Sequence, residues 1–406
     1  LIIINKNIIL KINDILKLYI MSSQSKKIWY APNKFESYGE EEINAVTQCL
    51  RDGWLAGFGP KTVEFEKRIA EYFGKKYGFF VNSGSSACML ALASVQLPKD
   101  SEIITPACTF STTLAPIIQL GLKPVFVDVG SNTYVAIVDE VISKITENTR
   151  ALMIPNLIGN KPDWKTLKSR LLEMDRGDII LIEDSADTIT YTPETDIATT
   201  SFYASHIITA GGSGGMVMFN DEKYLKVAAM YRDWGRIGDN SEEIADRFGY
   251  NIDGIPYDYK FLYGVLGYNF KSSEMNAAFG LVQLERFDKF RHDRRNNILR
   301  YLENLKDVKG LILPDDSVEP NWLAIPLLCD GVNRMELLTF LESQNIQTRV
   351  CFAGNVTRHP VYREYLQEFK NSDNIMANGF LLGAHHGMTI DDVDYVCSKI
   401  KEFLNK

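Results

Sequence analysis

The feature that most constrains this fold is an alternation of short apolar runs with helical segments across residues 77–183. Residues 77–81, 102–105, 124–127, 151–155 and 179–183 read as strands. Residues 87–95, 111–119, 139–145 and 165–174 carry helical spacing between them. Strands that alternate with helices build right-handed βαβ units and a mostly parallel sheet, hence an α/β fold. Ligand groups in such sheets collect at the carboxyl ends of the strands. The first run leads directly into Asn82-Ser-Gly-Ser-Ser-Ala87. A strand, a turn of small residues and a helix form an arrangement in which helix N–H groups can face a phosphate.

The flanks extend the pattern. Residues 39–50 open a helix with acidic residues in its first turn, 53–60 form a loop, and 62–73 return to helical spacing. Downstream, 207–219 is expected to add a strand and 221–234 a helix. A Tyr/Gly-rich segment (248–268) precedes a long helix over 273–289, which leads through 291–306 into a second unit. There, 322–328, 335–344, 347–350 and 391–403 read as strand, helix, strand and terminal helix. The expected division is an N-terminal extension (1–28), a large cofactor-binding α/β domain (29–285) and a small C-terminal α+β domain (286–406). Lys6, Lys11, Asp14 and Lys17 interrupt every apolar run in residues 1–20, so neither a signal peptide nor a membrane span fits. These residues read as a translated upstream extension before Met21, or as a short amphipathic helix.

Composition narrows the function classes. A net charge of −8 argues against nucleic acid and anionic membranes as partners. The six cysteines are scattered, with no CxxC or zinc-like spacing. They read as apolar thiols of a reduced, cytoplasmic protein, and no metal site is expected.

Two stretches carry chemistry. Ile182-Glu-Asp184-Ser-Ala-Asp187 ends an apolar run in carboxylates, and a carboxylate there can hold a pyridine nitrogen protonated. Taken alone, Asp184 reads first as a helix N-cap. Ser201 stands five residues before His206, and Gly211-Gly-Ser-Gly-Gly215 follows, so backbone can approach a flat ligand closely. Histidine moves protons near neutral pH but does not hold an aldehyde cofactor covalently as lysine does.

From about Trp29 onward the chain resembles the DegT-type nucleotide-sugar aminotransferases, vitamin-B6 enzymes of fold type I. Within them it is most similar to the 3-dehydrase branch. The resemblance rests on Phe58-Gly-Pro with Phe65-Glu66, Ser83-Gly-Ser-Ser-Ala87, Thr105-Pro-Ala-Cys-Thr-Phe110-Ser-Thr-Thr113, Pro155-Asn-Leu-Ile-Gly159-Asn160, Ile182-Glu-Asp184 and Gly267-Tyr-Asn269. Arg232-Asp-Trp-Gly-Arg236, Ala353-Gly-Asn355 with Arg358, and histidine for lysine at position 206 mark the dehydrase branch. It implies a seven-stranded-type sheet in the large domain. It also implies pyridoxamine 5′-phosphate or pyridoxal 5′-phosphate held non-covalently, its phosphate gripped by Gly84, Ser85 and Ser201, with Asn269 reaching across from a second subunit. Phe110 would stack on the ring, Asp184 would pair with its nitrogen, Asp187 would lie on its hydroxyl side, and His206 would be the base. Arg236 and Arg358 are candidates for carboxylate or diphosphate recognition, with solvated surface arginines as the alternative.

The implied reaction is loss of the C3 hydroxyl from an NDP-4-keto-6-deoxyhexose. Electron-transferring members of the branch hold an iron–sulfur cluster on four cysteines, one after the Glu-Asp pair and three after the Asp-Trp-Gly-Arg motif. Those regions contain no cysteine here, so no cluster is expected. The nearer precedent is the cluster-free GDP-4-keto-6-deoxymannose 3-dehydratase type, with glutamate as amino donor and a homodimer or larger assembly sharing its active sites. The chain departs from the family at Ser213, where a glutamate usually precedes the last paired glycines. A sugar aminotransferase and a non-catalytic pyridoxamine-binding homologue are the alternative readings.

Overall fold

The structure, a computed structural model, describes residues 26–32, 34–238, 243–315 and 322–405. The expectation for residues 1–20 lies outside the described residues. Seven strands form the main sheet: β1 (Tyr77–Val81), β2 (Glu102–Pro106), β3 (Lys123–Val127), β4 (Thr149–Pro155), β5 (Ile180–Ser185), β6 (Ile197–Ser201) and β7 (Gly215–Phe219). Their order is β1-β7-β6-β5-β4-β2-β3. Neighbours from β6 through β3 run parallel, whereas β7 runs antiparallel to both β6 and β1. Apolar clusters fill both faces, one around Val81, Leu90, Ile182 and Val217, another around Phe65, Phe80, Phe202 and Met218.

Two strands of the main sheet differ from the sequence reading. The β6 run, Ile-Ala-Thr-Thr-Ser, lacks an apolar signature, yet all five residues are buried. Its threonines satisfy themselves internally: Thr200 Oγ1 donates to Ser185 O at 2.9 Å. Strand β7 begins at Gly215 rather than at 207. Gly211, Gly212 and Gly214 take φ of 70°, 96° and 121°, which excludes a continuous strand through them and turns the chain instead.

The Tyr/Gly-rich segment contains an exposed hairpin, β8 (Tyr250–Ile252) with β9 (Ile255–Tyr257). Its Asp253-Gly254 turn has positive φ at both residues, the geometry that two-residue hairpins favour. The helix expected over 273–289 divides at Arg286 into Glu274–Glu285 and Phe287–Leu305. Beyond it lies a four-stranded antiparallel sheet ordered β10 (Leu311–Ile312), β11 (Ala324–Cys329), β13 (Gly379–Gly383), β12 (Thr348–Val350). Central strand β13 was not read from the sequence. Asp128, just past β3, accepts from Asn371 N (2.7 Å), Ser372 N (2.9 Å) and Ser372 Oγ (2.6 Å), and so ties the helix Lys370–Asn378 to the main sheet.

Candidate active site

At the carboxyl end of the sheet lies a cavity of about 320 Å³, within the range of about 300–1,000 Å³ usual for small-molecule sites. One wall is the start of the helix Gly84–Ala93. Ser83 caps it, its Oγ accepting from Ser86 N at 3.1 Å, and Ser86 Oγ in turn donates to Asn82 Oδ1 at 2.7 Å. Gly84 is there because of packing: a Cβ at this position would stand 2.7 Å from Cβ of Ser201 at the end of β6. The close approach sets the Ser201 hydroxyl beside the first-turn amides of the helix. Ser85 lines the same corner. Backbone N–H groups, the helix dipole and two hydroxyls make an anion site.

Asp184 ends β5 and is buried in the cavity wall. It accepts from Thr113 Oγ1 (2.7 Å) and Ala186 N (3.2 Å). Burial pushes its pKa up, against the pull of these donors. Asp187 accepts from Ile158 N at 2.8 Å, and its pKa is pushed up to about 7, by burial first, with the Ile158 bond opposing and the Asp184 charge adding. A buried carboxylate in this state gains from any cation or N–H placed against it. Phe110 precedes the helix Ser111–Gln119 and is 52% exposed, its ring perpendicular to that of Phe352. Both rings line the cavity.

His206 also lines the cavity, in a turn closed by its own N–H to Tyr203 O at 3.0 Å. The residue keeps an exposed edge, but Nδ1 is buried with no hydrogen bond. Burial pushes the imidazole pKa down to about 4; the Ser201 backbone opposes this and the Arg294 guanidinium adds to it. No lysine is among the lining residues. The cavity therefore presents a neutral proton acceptor, a carboxyl pair, an exposed aromatic face and an anion site.

The structure thus brings together Gly84, Ser85, Phe110, Asp184, Asp187, Ser201 and His206. Asn269 is exposed outside this lining, but its carbonyl accepts from Asn82 Nδ2 at 3.5 Å at the cavity's edge. Arg236 lies in a separate groove with Arg232 and Asp233, its guanidinium 4.6 Å from the Trp234 ring. Arg358 grips Asp373 through Nε (2.5 Å) and Nη2 (2.8 Å) and does not line the cavity. Thr113 and Phe352 were not singled out from the sequence. Thr113 had a local signal, a hydroxyl in the first turn of a helix after a strand end; Phe352 had none. Among the described residues no group of three or more His, Cys, Asp or Glu side chains is placed to hold a metal ion, and no helix is long and apolar enough to cross a membrane.

Comparisons with known proteins agree with this geometry. The model of the DegT/DnrJ/EryC1/StrS aminotransferase family matches residues 36–401. The chain is 36% identical over 398 residues to the lipopolysaccharide biosynthesis protein RfbH of Salmonella typhimurium, covering 90% of each. It is 36% identical over 399 residues to dTDP-4-dehydro-2,6-dideoxy-D-glucose 3-dehydratase of Saccharopolyspora spinosa, covering 90% of this chain and 85% of that one. Among solved structures, E. coli GDP-4-keto-6-deoxy-D-mannose-3-dehydratase with bound hydrated PLP superposes with a TM-score of 0.82 at 26% identity, over 93% of this chain and 99% of that one.

Proposed function

The chain belongs to the DegT/DnrJ/EryC1/StrS aminotransferase family, and on that premise we propose that it is a pyridoxamine/pyridoxal 5′-phosphate-dependent 3-dehydratase. Its substrate is a nucleotide-linked 4-keto-6-deoxyhexose, and His206 is the base. The observation that carries the reading is the imidazole of His206 in a cavity without a lining lysine. The residues present fit the cofactor. The Gly84–Ser85 turn with Ser201 receives the phosphate, Phe110 offers a ring face, and Asp184 faces the pyridine nitrogen. Asp184 is held unfavourably by burial alone, and a pyridinium N–H relieves that cost.

When bound, the cofactor supplies an amine for the 4-keto carbon and a ring that takes up electrons from a breaking C–H bond. His206 accepts the proton from the cofactor's C4′ carbon and, as imidazolium, delivers a proton to the departing C3 hydroxyl oxygen. An imidazole already neutral well below pH 6.5 is ready as a base, and its conjugate acid is strong enough to protonate a poor leaving group. Glutamate is the amino donor in this scheme. The working unit is a homodimer or larger, with the exposed Asn269 reaching a neighbouring phosphate site.

A panel of GDP-, CDP-, UDP- and TDP-4-keto-6-deoxyhexoses, each with glutamate, tests the reaction by mass spectrometry. Loss of one hydroxyl is expected. An amino sugar that keeps its C3 oxygen would instead establish the aminotransferase reading, which the family description favours. Borohydride should leave no cofactor on the chain, whereas His206→Lys should acquire a trappable adduct and lose dehydration.

A further inference from the structure

Arg294 is unusual among the charged residues here. It lies on the helix Phe287–Leu305 and is only 3% exposed. Among the described residues, no carboxylate stands within ion-pair distance of it. Its partners are main-chain carbonyls: Nη1 donates to Leu323 O at 2.9 Å and Nη2 to His206 O at 3.5 Å, while Nε is buried without a partner. Burying a guanidinium without a counter-charge is costly. Fold stability is therefore a poor reason for this residue.

We propose that Arg294 is a positioning residue for His206: it clamps the main chain of the His206 turn to Leu323, the residue before β11, and sets a positive charge behind the imidazole. This rests on the reading of His206 as the base. The titratable groups that line the cavity with the imidazole are Asp184 on β5, Asp187 just past it, Cys88 from the helix Gly84–Ala93 and Tyr203 from its own turn, and Arg294 is bonded to the main chain of that turn. Of these, only Arg294 is a permanent cation. Tyr30, His385 and His386 also feel its charge, and none of them is positively charged at neutral pH. A fixed cation there disfavours the imidazolium, so a proton taken up by His206 is readily passed on, as departure of hydroxide as water requires. The planar fork also fixes two carbonyls at once, which an ammonium does not.

The test uses the full-length holoenzyme with isotopically labelled histidine. In the wild type, where burial pushes the His206 imidazole down to about 4, the midpoint is expected near that value. In Arg294→Gln the midpoint moves up; in Arg294→Lys, which keeps the charge, it stays at the wild-type value, while amide exchange at His206 accelerates and kcat falls because one carbonyl anchor is lost. An unmoved midpoint in a folded Arg294→Gln protein overturns the electrostatic role. If Arg294→Gln does not fold, Arg294→Lys decides: wild-type exchange and wild-type kcat together overturn the positioning role. The base assignment fails separately, if His206→Asn still releases 3-deoxysugar, whatever Arg294 does.

Discussion

His206 and Asp184 make sense as a pair that one enclosed environment pushes toward the neutral forms. The imidazole is driven neutral by enclosure, and the carboxyl is strained toward protonation by the same cause until a cation faces it. For Asp184→Asn, the buried charge disappears, so the apoprotein should be at least as stable as wild type in urea. Cofactor affinity should nevertheless fall by about tenfold or more, the loss of one charge-assisted hydrogen bond. Equal losses of stability and affinity would show that Asp184 is a structural residue. The pH–rate profile should lack an acid limb near 6.5, because His206 stays neutral down to about 4. A limb at 6.5 that vanishes in His206→Asn would contradict the low value.

Elements deliver these residues, and two contacts between elements are open to test. Gly84→Ala places a Cβ 2.7 Å from the Ser201 Cβ, so the helix start must move away from β6. Overpacking of that kind costs about 1–3 kcal/mol and opens the anion site. Phosphate-bearing ligands should weaken more than ligands without phosphate, measured by calorimetry. Behind β5, Lys75 and Glu183 form a fully buried ion pair, 3.9 Å apart, with Thr195 and Asn156 donating to the carboxylate at 2.8 and 2.7 Å. Lys75→Met strands that carboxylate and should cost about 3–5 kcal/mol. Lys75→Met with Glu183→Gln should recover much of the loss, and a double variant no better than the single would refute the pairing. Hydrophobic pattern located most strands because their runs are apolar. It missed β6, whose threonines are buried only because a neighbouring strand accepts their hydroxyls, and β13, a five-residue strand that begins and ends on glycine.

The molecule as a whole balances its enclosed groups against acid. His206, His385 and His386 are pushed by burial to about 4, 3 and 2. They stay neutral in the fold while the unfolded chain protonates below 6.5, so their contribution to stability is lost as pH falls from there. Glu66 and Asp187, both raised to about 7 by burial, act oppositely: their folded forms hold protons that the unfolded chain releases above about 4, so they favour the fold as pH falls toward that value. Between about pH 4.5 and 6.5 the three histidines are opposed by these two carboxyls and by Asp184 and Glu183, which burial also raises, so the opposing contributions largely cancel. Below about 4 the carboxyls no longer compensate. Asp373, held down at about 2 by Arg358, then adds its own loss. Urea unfolding of the apoprotein should thus change little between about pH 6.5 and 4.5 and fall steeply below 4. Equal steepness in both windows would refute the balance.

The sequence by itself determined the class of fold and pointed to the phosphate turn and to His206, because each is carried by local pattern: apolar alternation, small residues after a strand, one histidine before a glycine run. The resemblance to the DegT-type enzymes supplied most of the other candidate residues that line the cavity. Only the tertiary structure decided what those residues experience. The low pKa of His206 comes from enclosure and from Arg294, 88 positions away on another helix. The same packing commits Arg358 to Asp373 and sets Arg236 in a different groove. Desolvation and long-range charge are sums over neighbours in space, and spacing along the chain does not encode them.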